Sequence, residues 1–289
     1  MRRIDVDKEI IDEIDVEQKE ENTKKIIILI LKIIIPIIIV ALISFVSLRY
    51  IGNYGIVVRE RAIYSNKVND DLHGLKIVEF NSLLYSEDLE RKQIDRLIEK
   101  INYTNPDIII FTGNLIKQKG LTSEEKEYLI NKLSSLDASI GKYSIKGDLD
   151  NKYYEEVMNA SGFTTIDLDT YETINIKQSL INIYNMNTSS IQNYIDDEIF
   201  NIILTYKPDN IDNILKTYSP EIIFSGYTLN GQVRLPIIGG LFRNSKYMDS
   251  YYQKGNTEIL ISGGIGNRSL NIRLFNNPSI NFVRIRKRT

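Results

Sequence analysis

Residues that could do chemistry sit at the ends of short apolar runs. Lys76–Phe80 (KIVEF) leads into Asn81-Ser82-Leu83, Asp107–Thr112 (DIIIFT) into Gly113-Asn114, and Tyr143–Lys146 into Gly147-Asp148-Leu149-Asp150. Asn201–Tyr206 ends on Tyr206 in TYKPD, and Ile222–Ser225 leads into Gly226-Tyr227-Thr228-Leu229, the start of GYTLNGQVRLP (Gly226–Pro236). In open α/β sheets, ligands collect at the carboxyl ends of strands. These positions bring one acid, Asp148, to the amides Asn81 and Asn114, a set that could hold a single hard cation, and only weakly. Pairing of Asp148 with Lys146 or Arg234, or plain solvation, is the preferred account. Asp150 directly precedes a helical pattern and is expected to cap it.

The rest of the composition narrows the chemistry further. The chain has 289 residues, no Cys, no Trp, one His and a net charge of -2. Without Cys there are no disulfides, thiolate metal sites or Cys nucleophiles. The lone His73 lies in the polar stretch Asn69–Gly74 and is expected to be exposed, which leaves no base for a Ser-His-Asp triad. Near-neutral charge argues against a nucleic-acid binder. Gly263-Gly264-Ile265-Gly266 lacks the Lys-Ser/Thr of a phosphate loop and reads as a structural turn. The basic end, Arg284–Arg288, reads as a solvated strand end with a lesser potential for anionic lipid.

The elements that position these residues follow from periodicity. Residues 1–25 form a charged tail in which Ile4, Ile10, Ile11 and Ile14 have roughly helical spacing. Ile26–Leu48 is almost wholly apolar and long enough to span a bilayer, with Lys32 able to snorkel and Pro36 tolerated. The flanking Lys24 and Lys25 against Arg49, Arg59 and Arg61 orient it weakly; a short tail before a large domain favours tail inside and domain outside. Residues 49–74 read as a linker with a short strand at Gly55–Val58. From residue 75 to 289, strands at 76–80, 107–112, 143–146, 180–184, 201–206, 222–225, 232–235, 257–262 and 280–286 alternate with helices at 86–102, 123–136, 152–160 and 211–217. The pattern predicts an α/β fold, a four-layer αββα sandwich of two mixed sheets behind one N-terminal transmembrane helix.

The five strand ends, in order, resemble the metal-site motifs of the calcineurin-like metallophosphoesterases, in the small membrane-associated bacterial form. That family has Asp-x-His, Gly-Asp, Gly-Asn-His-Asp, a lone His in a context like SHNPD, and GHTHGGQVRLP. The likeness covers about residues 75–288 and continues through KGNT (Lys254–Thr257), GGIG (Gly263–Gly266) and RLFNNP (Arg273–Pro278). The resemblance implies two divalent metals (Mn, Fe, Zn or Mg) bound by carboxylates and imidazoles. Here the two Asp positions are Asn81 and Asn114, and the His positions are Leu83, Leu149, Leu229, Tyr206 and Tyr227. Leu149 stands where the family has its proposed proton donor and transfers no proton. Any buried Leu among these would contribute roughly 1.5–3 kcal/mol, and the two Tyr are expected to fill the cleft with their hydroxyls toward water.

The resemblance therefore implies a membrane-anchored family member without its metals, a catalytically inactive binding or scaffolding module that meets a protein partner at the degenerate cleft or through its tail and helix. One alternative is a divergent phosphoester or pyrophosphate hydrolase using one cation at Asp148, Asn81 and Asn114. Another is a subunit of a membrane complex. No resident cofactor is expected, and the cell membrane is the expected location, with the main domain extracytoplasmic.

Overall fold

A computed structural model describes residues 2–86, 89, 91–117, 120–186, 195–235, 237–241, 245–268 and 271–288; side chains are described at 19, 21–46 and, within those ranges, from 52 onward. The side chains of Ile4, Ile10, Ile11 and Ile14, the start of the expected helix at 86–102, and Pro236 lie outside the described residues. The chain divides into two compact units, residues 1–48 and 49–289.

The first unit lies within α1 (Arg2–Tyr54), which continues through Pro36. Its stretch Glu21–Val46 has 26 residues and holds an 18-residue window with a mean hydropathy of 3.4, so it is long and apolar enough to cross a membrane. At about 1.5 Å per residue it measures roughly 39 Å, more than a bilayer core of about 30 Å.

In the second unit the order is β1 (Val57–Ser65), β2 (Lys76–Phe80), α2 (Arg91–Tyr103), β3 (Ile108–Phe111), α3 (Ser123–Ser134), β4 (Gly141–Ser144), α4 (Lys152–Ala160), β5 (Thr164–Thr165), β6 (Tyr171–Ile176) and β7 (Ser179–Asn185). There follow β8 (Phe200–Thr205), α5 (Ile211–Thr217), β9 (Ile222–Ser225), β10 (Arg234–Leu235), β11 (Gly239–Gly240), β12 (Tyr251–Lys254), β13 (Thr257–Ile261) and β14 (Ser279–Lys287). One six-stranded sheet has the order β1-β14-β2-β3-β4-β5 and the other β12-β13-β9-β8-β7-β6. Both mix parallel and antiparallel pairs.

Strand alternation builds the layers. Along β2 and β3, Val78, Ile109 and Phe111 turn to the core under α2, α3 and α4, while Ile77, Ile108 and Ile110 turn to the core between the sheets. Along β8 and β9, Ile202, Leu204, Ile222 and Phe224 face that same inner core, while Ile203 and Ile223 pack with Ile211 and Ile214 of α5. A strand buried on both faces must be apolar at consecutive positions, and these are. The result is the expected four-layer αββα sandwich.

Residues 49–74 depart from the linker expectation. α1 continues to Tyr54, and β1 is a nine-residue edge strand whose whole length pairs with β14. Val68 and Leu72 are buried against it. The alternation of charged residues in VVRERAIYS hides a strand that buries only one face. β6 and β12 escaped notice for the same reason, being edge strands with exposed polar positions.

Candidate functional site: a rim of strand ends

The parallel strands β2, β3 and β4 of one sheet and β8, β9 and β13 of the other end at one rim of the sandwich. That rim carries all the predicted site residues, and glycine allows them to converge. A Cβ on Gly147 would lie 2.1 Å from Asn114 Oδ1, and one on Gly264 would lie 2.3 Å from Leu229 Cδ2. The turn after β9 keeps a demanding shape, with Tyr227 and Leu229 at φ of 66° and 51°, a region costly for bulky side chains.

Asn114, at the position the family uses to bridge two metals, is fully engaged by protein. Its Nδ2 donates to the Tyr206 hydroxyl at 2.5 Å and its Oδ1 accepts the Leu149 backbone N–H at 2.9 Å. Tyr206 is buried, contrary to the expectation that its hydroxyl meets water. Burial pushes its phenol up to about 12, opposed by Arg268 and Asn114. Asn81 is also buried; its Nδ2 donates to Glu79 Oε1 and the Ser225 carbonyl, while its Oδ1 has no partner.

Two cations outside the sequence expectations stand over the cleft. The Arg268 guanidinium lies 3.9 Å from the centroid of the Tyr227 ring and hydrogen-bonds the Tyr206 hydroxyl, and the two tyrosines meet edge to face at 5.4 Å. Lys207 Nζ pairs with Asp148 at 2.7 Å, which raises the lysine's pKa. The expected partners of Asp148 are committed elsewhere, Lys146 to Glu155 and Arg234 to Asp249. Lys207 lies inside TYKPD, and the spacing of that motif was the signal that could have found it.

The three leucines divide. Leu83 and Leu229 are buried, Leu83 in the helix-side core, while Leu149 is half exposed. The expected apolar burial therefore holds for Leu83 and Leu229 and not for Leu149. Beside Asp148 and Lys207 a cavity of about 370 Å³ remains, lined also by Lys146, Glu155, Asp167 and Tyr206.

Three more polar groups support the rim. Asp150 does not cap α4; Asn151 does, accepting from the Tyr153 N–H at 3.0 Å. Asp150 instead ties two loops together, accepting the N–H groups of Leu115 at 2.7 Å and Gly147 at 2.9 Å. Burial raises its carboxyl to about 7 against those bonds. Glu79, on the inner face of β2, is fully buried and receives hydrogen bonds from Thr112, Asn281 and Asn81; burial lifts its pKa to about 8. A charged letter inside the apolar run KIVEF was its only sequence signal. Arg273 is buried without a carboxylate and donates to the carbonyls of Gly263, Gly264 and Gly266, which fixes the GGIG turn against Leu229. Burial lowers its pKa to about 9. His73 is exposed, as expected, on the turn beside Lys287.

These donors do not fit a pair of divalent cations. Among the described residues no three His, Asp or Glu side chains converge. Both polar atoms of Asn114 are engaged, Asp148 faces a lysine, and the oxygens left open, among them Asn81 Oδ1, Thr228 Oγ1 and Asn230 Oδ1, are neutral. No chemical step through such metals follows from this arrangement.

The comparisons with known proteins point to metallophosphoesterases. No protein-family model matches the chain. It is 29% identical over 249 residues to the uncharacterized metallophosphoesterase YkuE of Bacillus subtilis (strain 168), covering 80% of this chain and 86% of that protein. An uncharacterized metallophosphoesterase of Helicobacter pylori (strain J99) is 20% identical over 79% of this chain and 63% of its own length. The UDP-2,3-diacylglucosamine pyrophosphatase LpxG of Chlamydia muridarum is 31% identical over 83 residues, 29% of this chain and 25% of that protein. With the αββα sandwich, the similarity to these relatives supports the calcineurin-like metallophosphoesterase superfamily.

Proposed function

We propose that this protein is a membrane-anchored pseudoenzyme, a metallophosphoesterase fold kept as a binding or scaffolding module. The observation that carries the reading is Asn114. At the position where the family bridges its metals, both polar atoms of the side chain are held by Tyr206 and the Leu149 backbone. Arg268 and Lys207 supply the positive charge of the rim from the protein itself, so an incoming cation would meet repulsion. The cavity beside Asp148 and Lys207 is where a ligand or partner side chain would seat. α1 supplies the anchor, with the domain on the extracytoplasmic side.

Metal analysis of the purified full-length chain tests this directly, with substoichiometric Mn, Fe, Zn and Mg as the expected result. Two tightly held ions per chain together with phosphoesterase turnover would overturn it. The divergent-hydrolase alternative draws on the LpxG relative and requires Mn²⁺-dependent turnover of an aryl phosphodiester that Asp148→Ala abolishes. The Asp148–Lys207 pair predicts no such turnover.

A further inference from the structure

We propose that the hairpin formed by β10 and β11, with the neighbouring Phe275, is a second membrane contact, an apolar tip that enters the bilayer interface and holds the rim of the former metal cleft near the lipid. The proposal rests on α1 being a membrane anchor and goes beyond it, because it assigns the domain its own lipid-binding surface.

The tip is apolar and uncovered. Ile237 is 108% exposed, Ile238 59%, Leu241 46% and Phe275 71%. Isolated exposed apolar residues are ordinary, but clustered ones mark an interaction surface. These are clustered through the backbone. Leu235 pairs with Gly239, the Leu241 N–H donates to the Val233 carbonyl, and Val233 bridges to Leu274, the residue before Phe275. Ile237 is held at φ 71°, where a β-branched residue is an outlier. A glycine would relax that turn, yet the position presents the most exposed apolar side chain of the domain's described residues.

The occupant is argued from where the chain leaves α1. Residues 52–57 run alongside residues 271–278, the segment that contains Phe275. The Asn53 amide donates to the Asn271 carbonyl at 3.2 Å, a Cβ on Gly52 would fall 2.1 Å from the Arg273 carbonyl oxygen, and the Val57 N–H donates to the Pro278 carbonyl at 2.8 Å. The apolar run ends at Leu48, and four residues cannot separate Gly52 from it by more than about 14 Å. The strip beside Phe275 is therefore tied by chain length to the membrane surface. Tyr54, 64% exposed, adds an aromatic of the kind that settles at lipid headgroups.

Strand direction adds the cleft to this face. β14 is antiparallel to β2 and β1 is parallel to β14, so Val57 and Ser279 begin at the end where β2 finishes and Asn81 follows. The rim and the exit of α1 thus share one end of the sandwich. The basic residues Arg284–Arg288 lie at the other end, with Arg286 opposite Tyr64 in the β1–β14 pair, so an apolar tip and not the basic strand end meets the lipid.

The chain has no Trp, so one introduced Trp is a unique probe. Full-length Ile237→Trp, Phe275→Trp and Tyr64→Trp are reconstituted into phosphatidylcholine–phosphatidylglycerol vesicles carrying bromine on the upper acyl chain. The expected result is a shift of emission to shorter wavelength and bromine quenching at positions 237 and 275, with water-like, unquenched emission at 64. Retention of the wild-type chain by vesicles is measured in parallel; its failure overturns the anchor and this proposal together. Retention with unquenched emission at both 237 and 275 overturns the hairpin contact alone. Shifted but unquenched emission there means that a second copy or another protein surface covers the tip, and quenching at 64 as well means nonspecific adsorption; either result overturns the proposal. Phe275→Trp carries the test should the strained position 237 reject Trp.

Discussion

Asn114 and Tyr206 close on each other across the gap between the two sheets, with the amide donating to the phenol at 2.5 Å. Each stands where the superfamily places a metal ligand, and each satisfies the other. Removal of a cation from such a site leaves buried polar groups that need new partners. Here the partners are a tyrosine, a backbone N–H and an arginine.

Tyr206→Phe leaves the Asn114 amide buried without an acceptor. A buried donor left unmade costs about 1–3 kcal/mol. Urea unfolding of the variant should show that loss in its midpoint with little change in slope, and an unchanged midpoint would show that Asn114 has another partner.

Asp150 and Asn151 are adjacent and have different duties. Asp150→Ala frees the N–H groups of Leu115 and Gly147 together, an expected loss of about 2–5 kcal/mol. Asn151→Ala removes the cap on α4, worth about 1 kcal/mol. Side-by-side thermal melts should rank Asp150→Ala clearly below Asn151→Ala; the reverse order would restore Asp150 to the role of helix cap.

Glu79 makes stability depend on pH in an unusual direction for a carboxylate. Its folded pKa is raised to about 8, whereas an unfolded Glu titrates near 4.3. Between those values the folded chain holds the extra proton, so stability falls as pH rises. The contribution is complete below about pH 4 and is lost as pH passes about 8, with a limiting slope of roughly 1.4 kcal/mol per pH unit. Asp150, raised to about 7, adds the same sign over a narrower window. Glu79→Gln should flatten the melting temperature between pH 5 and 8 and gain on the wild type above pH 8. The unpartnered Asn281 Oδ1 offers the Gln amide an acceptor if the Asn281 amide turns over. Equal pH profiles for both proteins would contradict this.

Arg273 is the most consequential surround of the cleft. Arg273→Met removes the guanidinium donors to the carbonyls of Gly263, Gly264, Gly266 and Asn276 and leaves the Gly264 carbonyl only the Ser279 N–H at 3.3 Å. The expected loss is roughly 3 kcal/mol or more. Arg273→Lys should rescue little, because one ammonium cannot span what the planar fork spans. Full rescue by Lys in chemical denaturation would mean that only the charge matters.

Much of this was legible in the chain because it depends on local order. The consecutive apolar letters of DIIIFT and the Ile222–Ser225 run require strands buried on both faces, and the glycines after them require turns where backbones approach closely. Motif order then placed Asn81, Asn114, Asp148, Tyr206 and Tyr227 on one rim, and the structure brings them together there. β1 shows in the sequence only as the short strand 55–58, because a strand buried on one face reads as alternating charge, and Asp150 reads as a cap because proximity along the chain suggests the wrong partner.

By itself, then, the sequence determined the apolar span and the sandwich, both properties of residue type and periodicity. Only the tertiary structure decided that Asp148 meets Lys207, that Tyr206 turns its hydroxyl inward to Asn114, that Leu149 is exposed while Leu83 and Leu229 are not, and that the hairpin tip shares its end of the sandwich with the exit of α1. Those facts depend on which residues distant in sequence become neighbours, and that is set by how two sheets stack and in which direction their strands run.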